Sequence, residues 1–236
     1  MSNATQEKKE LAVVFEVDGN EIKLSPKIVQ DYIVGTDAPI TMQEFKFFTE
    51  LCKVRGLNPF LKEVYCIKFG NQPAQIVVGK DAVLKRAIRN PEYNGMESGV
   101  IVENIATGEI TERRGTFYLK SKENLVGGWA IVYRKNWEHP TYCSVAFDEV
   151  AQKTKSGDLN SNWSGKGATM VEKVAKVRAL RETFIEDLGG MYEAEEMGVE
   201  LPNDNAVTND RTVIVQGEPT GDETISASGV VSMSDI

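Results

Sequence analysis

The sequence predicts an α+β fold in which an antiparallel sheet and hairpins pack with helices, with one long C-terminal core helix and then a disordered acidic tail. Three observations predict it. Short β-prone runs follow one another with tight turn signals between them. The connections between neighbouring runs are short, which favours antiparallel pairing with helices on one face. The longest stretch of helical apolar spacing falls late, from Ala168 to Leu188.

Taken in order, Leu11 to Val17 and Glu21 to Leu24 read as a hairpin, because Asp18-Gly19-Asn20 tolerates the positive φ of a tight turn. Ser25-Pro26 opens a short helix, with serine as the cap and proline in the first helical position. Thr41-Met42-Gln43-Glu44 has capping-box spacing and leads a helix through Val54 that Gly56 stops. Glu63 to Phe69 and Ala74 to Val78 flank Gly70-Asn71 as a second hairpin. Asp81 to Arg89 reads as a helix ending before Pro91. Val100 to Asn104, Thr111 to Leu119, Gly127 to Tyr133 and Tyr142 to Phe147 read as successive strands, with Ala106-Thr107-Gly108 as the first turn. Asp148 to Lys153 looks helical, and the long helix follows.

Composition separates a body from a tail. The chain has 236 residues, 41% hydrophobic and 8% aromatic, enough to bury a core. No stretch approaches the roughly 20 apolar residues that span a bilayer. Met1 to Glu10 is polar with no apolar segment of a signal peptide. Cys52, Cys66 and Cys143, with His139 as the one histidine, give neither a disulfide framework nor a zinc pattern, so a reduced, cytoplasmic protein is expected. Net charge is −8, but from Glu193 to Ile236 ten acidic residues stand against Arg211 alone, which leaves residues 1–192 near +1. The body is therefore free to carry a basic face. We expect residues 1–196 to form the folded core and 197–236 a flexible acidic tail. Thr212 to Val215 and Val230 to Met233 are apolar patches there, readable as docking peptides or as ordinary residues of a loose tail.

Enzyme signatures fail. Gly165-Lys166-Gly167 lacks the leading glycine of a phosphate loop, where Asn160 stands, and the hydroxyl residue after its lysine, where Gly167 stands. His139 has no nearby serine or cysteine nucleophile. No acidic spacing suggests a two-metal nuclease centre.

The basic residues are better organised. From Lys153 to Arg181 seven basic residues face two acidic ones, Asp158 and Glu172. On a helix, Met170, Val174, Val177, Phe184 and Leu188 make an apolar stripe. Lys173 and Lys176 lie at its edge, about 60° apart, able to share a groove. Arg178 lies on the other flank, where Glu182 is its i+4 neighbour. Arg181 projects from the middle of the stripe, where an unpaired charge is costly. Either a buried carboxylate meets it or the stripe opens there onto a phosphate. Lys80, Lys85, Arg86 and Arg89 form a second cluster, readable also as a solvated helix face. Lys62 and Lys68 flank a strand, and Arg113-Arg114 begin another. Trp163 suits a base stack or a core anchor at the start of the helix. The candidate DNA-binding set is Lys62, Lys80, Lys85, Arg86, Trp163, Lys166, Lys173, Lys176, Arg178 and Arg181.

Three segments in order resemble the RecT/Redβ (Bet) family of phage recombinases. They are Gly56 to Tyr65, Gln75 to Asp81 followed by a basic helix, and Trp163 through Met170, Lys173, Arg178 and Arg181 to Gly190-Met191-Tyr192-Glu193. The likeness spans roughly Pro39 to Glu196 but between Ser98 and Tyr142 rests on strand character alone. It implies a non-enzymatic protein that binds single-stranded DNA, holds an annealed duplex intermediate more tightly, and forms a homo-oligomeric ring or helical filament. It further implies a phage exonuclease and the host single-strand-binding protein as partners. No cofactor is required, with Mg2+ dependence left open, and no membrane is involved. Lys173, Arg178 and Arg181 would take the place of the family's phosphate-contacting helix residues. The competing readings are a protein-interaction scaffold with a basic helix, and a nucleotide- or metal-dependent DNA enzyme, which the missing motifs disfavour.

Overall fold

A computed structural model describes residues 11–34, 38–194 and 196–198. The tail expected from residue 197 lies, beyond 198, outside the described residues, as do both of its apolar patches.

Strands β1 (Val13–Val17) and β2 (Asn20–Leu24) pair as expected. Asp18 (φ 53°) and Gly19 (φ 77°) make the two-residue turn, whose twist matches the strands it joins. Phe15, Val17, Ile22 and Leu24 alternate into the core. Helix α1 (Pro26–Ile28) is capped by the Ser25 hydroxyl, which accepts from the Ile28 amide at 3.3 Å, and it runs on as a π-helical turn over Val29–Ile33. Helix α2 (Met42–Arg55) carries the full capping box. Thr41 Oγ1 accepts from the Glu44 amide at 3.2 Å and Glu44 Oε2 from the Thr41 amide at 2.7 Å. Gly56, at φ 56°, ends it. A short 3₁₀ turn (Pro59–Leu61) leads to β3 (Val64–Ile67), which pairs with β4 (Gln75–Val78), and helix α3 (Lys80–Arg89) follows.

The remaining strands are β5 (Tyr93–Asn104), β6 (Ile110–Arg114), β7 (Glu123–Arg134) and β8 (Thr141–Ala146). They form one antiparallel sheet in the order β6-β5-β7-β8. Two strand boundaries differ most from expectation. Strand β5 begins at Tyr93 rather than Val100, because its polar first half pairs with the far end of β7. Glycines and polar residues there hide the alternation. Strand β6 stops at Arg114 rather than Leu119, because Gly115 (φ 76°) turns the chain while bonding back to Ser98 and Val100.

Helix α4 (Phe147–Val150) is a single turn. Helix α5 runs over Ser161–Thr183, seven residues earlier than its apolar spacing announces. The Asn160 side chain caps it by accepting from the Trp163 amide at 3.0 Å. Gly165 and Gly167 argue against helix locally, and the helix kinks between them at Lys166 (φ −131°, ψ 31°). It ends at Phe184, beyond which α6 (Ile185–Leu188) is a separate turn.

Val100, Val102, Ala130, Val132 and Val145 of the sheet share one core with Val171, Val174 and Ala175 of α5. The approach is close. A Cβ on Gly128 would lie 2.6 Å from the Val171 carbonyl oxygen, so only glycine lets the helix backbone sit this near the sheet. Helix α5 also meets α3. With Ala179, Leu180 and Thr183 buried as well, α5 is enclosed on more sides than a single stripe requires.

Candidate nucleic-acid interface

The α3 and α5 helices bring part of the candidate set together. Lys80, Lys173 and Lys176 line one depression, floored by Leu84, Val177 and Leu180, with a volume of roughly 100 Å³. The shared groove expected for Lys173 and Lys176 is thus present. Each is partly matched by a carboxylate. Lys173 Nζ lies 3.5 Å from Glu193, and Lys176 Nζ 2.9 Å from Glu172, which also accepts from the Ser98 hydroxyl at 2.8 Å. Lys80 is exposed at the first residue of α3.

Lys85 and Arg86 serve elsewhere. Lys85 bridges Asp18 at 2.7 Å and the buried Glu63 at 2.5 Å, while Arg89 reaches Asp18 at 2.5 Å. Arg89 first, then Lys85, hold the Asp18 carboxyl well below the usual carboxylate range. Arg86 donates to the Arg55 carbonyl at the end of α2. These cations tie α3 to the β1–β2 turn and to α2, and they line a separate depression. Lys62 is exposed after the 3₁₀ turn at φ 58°.

Arg181 meets a carboxylate. Its two terminal nitrogens lie 2.6 and 2.5 Å from the Glu196 oxygens, and its guanidinium stands 4.7 Å from the Tyr192 ring centre. Arg178 lies 3.7 Å from both Glu149 and Glu196, rather than pairing with Glu182. Trp163 is 1% exposed and packs edge-on against Phe147, at 5.5 Å and 75°. Its burial gives it the part of a core anchor at the start of α5, and it also stands in the lining of the depression beside Gly165 and Lys166. Lys166 is exposed at the kink.

The sequence reading missed one element. Between β6 and β7 the loop 115–122 carries Phe117, 78% exposed, beside Tyr118 and Lys120. Across a depression of roughly 390 Å³ it faces Ser164, Gly165 and Lys166 of α5. Glu123 fixes the loop, accepting from the Leu119 amide at 2.9 Å and pairing with Arg113, and those two contacts lower its pKa in that order. The available signal was Arg113-Arg114-Gly115 followed by Phe117-Tyr118-Leu119-Lys120, aromatics interleaved with cations just after a turn residue. Reading strand through Leu119 concealed it.

The depressions adjoin. Phe117 and Tyr118 line both the central one and a neighbour walled by Arg113 and Arg114. Thr169 lines both the central one and the Lys80–Lys173–Lys176 depression. These shared linings make a candidate track from Arg113 and Arg114 past Phe117, Lys120 and Lys166 to the lysines of α3 and α5, with Glu123, Asp81 and Glu172 also among its lining.

Among the described residues no group of His, Cys, Asp and Glu is placed to hold a metal, and no helix is long and apolar enough to cross a membrane. Burial pushes the Cys52 thiol up to about 12 and that of Cys66 up to about 11, so neither is a thiolate nucleophile near neutral pH. A search of curated proteins returns no match. The RecT family model matches residues 20–212, which takes in β2, α3, the four-stranded sheet and all of α5. The match covers most of the chain, which belongs to the RecT family, whose members anneal single strands in DNA recombination.

Proposed function

We propose that this protein binds single-stranded DNA by its backbone along the track and anneals complementary strands without ATP. The observation that carries the proposal is the continuity of the track, which aligns Arg113, Arg114, Lys120, Lys166, Lys80, Lys173 and Lys176 in adjoining depressions. Lysines hold phosphates as point charges without reading sequence. An annealing protein needs this, because the base edges must stay free to pair. Base pairing supplies the free energy, so no nucleotide need be hydrolysed.

A body near neutrality, with Lys173 and Lys176 each near a glutamate, holds one short stretch of DNA weakly. Many subunits along one strand then gain by avidity, which favours action as a ring or helical filament. A phage exonuclease and the host single-strand-binding protein are the partners proposed for the acidic segment beyond residue 196, with Mg2+ an optional aid to strand pairing rather than a bound cofactor. Lys85, Arg86, Arg178 and Arg181 are held in intrachain contacts and stand outside the lining of these three depressions.

The test is the affinity for a labelled oligo-dT at about 50 and about 200 mM salt. Affinity should fall steeply, and each phosphate contact removed should lower the slope of log K against log salt by about 0.7. Lys120→Ala/Lys166→Ala and Lys173→Ala/Lys176→Ala should each flatten it. No binding at low salt would overturn the proposal in favour of a protein scaffold.

A further inference from the structure

We infer that Phe117 is a base-stacking residue that makes the track favour single-stranded over preformed duplex DNA; this rests on the DNA-binding reading above. At 78% exposure Phe117 is the most exposed large hydrophobic side chain among the described residues. A scattered exposed apolar residue is ordinary. This one differs in where and how it is held. Its loop is rooted at Gly115, whose amide donates to the Ser98 carbonyl at 2.9 Å and whose carbonyl accepts from the Val100 amide at 3.1 Å. At the other end the Lys122 and Glu123 amides both donate to the Leu119 carbonyl at 2.8 Å. The ring thus stands on a braced support between two anchored ends.

Its surroundings are cationic. Arg113 and Arg114 share one depression with it, Lys120 and Lys166 the next. The arginines pair with Glu123 and Glu97, yet their side chains remain 50% and 76% exposed, with donors still open to solvent. A strand whose phosphates meet these cations on either side of the ring brings a base to its face. Every base has such a face, so the contact is sequence-tolerant. In a duplex each base face is covered by its neighbours, and the ring has nothing to stack on without unstacking a step. Phosphate contacts alone would not distinguish the two forms so sharply. The ring supplies the difference.

The experiment measures affinities of the full chain for oligo-dT and for a duplex of equal length, in wild type, Phe117→Ala, Phe117→Leu and Phe117→Trp. Phe117→Ala and Phe117→Leu should bind the single strand about tenfold more weakly, with an unchanged salt slope and unchanged duplex affinity. Phe117→Trp should retain affinity, and its added indole emission should be quenched by oligo-dT. If wild type binds with a steep salt dependence but all variants match it and the added emission is unmoved, Phe117 does not stack and the inference alone falls. If wild type binds no DNA at any salt concentration, the DNA-binding reading falls and takes this inference with it.

Discussion

Arg181, in the last turn of α5, grips Glu196 with both terminal nitrogens, at 2.6 and 2.5 Å, tying the segment that follows α6 back onto the core helix. Arg181 is 16% exposed and Glu196 8%, so each would be left largely desolvated without the other. Removing one partner of such a pair costs about 3 kcal/mol, because the other is left uncompensated. Arg181→Ala and Glu196→Ala should each lower unfolding stability by about that much, with the double variant less destabilised than the sum. A double-mutant cycle in urea checks this. Simple additivity would mean that the pair is not formed in solution.

Glu44 predicts an acid limb. Lys68, at 2.8 Å, is the main cause of its depressed pKa, followed by the Thr41 amide, and the carboxyl is lowered from 4.5 to about 2. The Ala74 amide, 2.8 Å away, adds to this. A carboxyl whose folded value is depressed stabilises the fold above its unfolded value and loses that stabilisation as pH falls. Stability should therefore decline from about pH 4.5 toward pH 2. Glu44→Gln should be less stable at neutral pH and show a shallower decline across that window. Urea midpoints measured from pH 7 downward would reveal it.

Gly128 should tolerate no side chain. A Cβ there meets the Val171 carbonyl oxygen at 2.6 Å and its carbon at 2.8 Å, both backbone atoms of a buried helix. Gly128→Ala should cost about 1–3 kcal/mol through overpacking, whereas Gly165→Ala, with open space around it and no positive φ, should lose nothing. Thermal midpoints of the two variants give the comparison.

Much of this was legible in the sequence where local chemistry decides. The Asp18-Gly19 turn, the Ser25 cap and the Thr41–Glu44 capping box each carry their own signal within four residues, and all appear in the structure. The site was legible only in part. Lys173 and Lys176 share a groove because helical spacing sets it. The partners of two residues could not be read that way. Lys85 is held by Asp18 and Glu63, and Arg181 by Glu196, each pairing depending on how distant elements pack. Trp163 looks alike in sequence whether it anchors a core or stacks on a base; only its packing against Phe147 decides. The start of α5 was hidden because Gly165 and Gly167 have poor helix propensity, which the Asn160 cap and tertiary packing override. Phe117 was hidden for the opposite reason, since Thr116, Phe117 and Tyr118 have strand propensity although Gly115 has already turned the chain.

Trp163→Ala should act on stability and not on DNA directly. Deleting a fully buried indole costs about 3–5 kcal/mol. Trp163→Phe, which keeps an aromatic edge for Phe147, should recover much of that loss and bind oligo-dT as wild type does. A selective loss of DNA affinity in a stably folded Trp163→Phe variant would return the residue to the interface.

The most direct test of the central claim is annealing of two complementary, fluorescently labelled oligonucleotides without nucleotide, beside the variant Lys120→Ala/Lys166→Ala/Lys173→Ala/Lys176→Ala. Wild type should speed duplex formation well above the spontaneous rate, and the variant should fall back toward that rate while staying folded. A wild type that leaves the rate unchanged at low salt, or a folded variant that anneals as fast as wild type, would contradict the account.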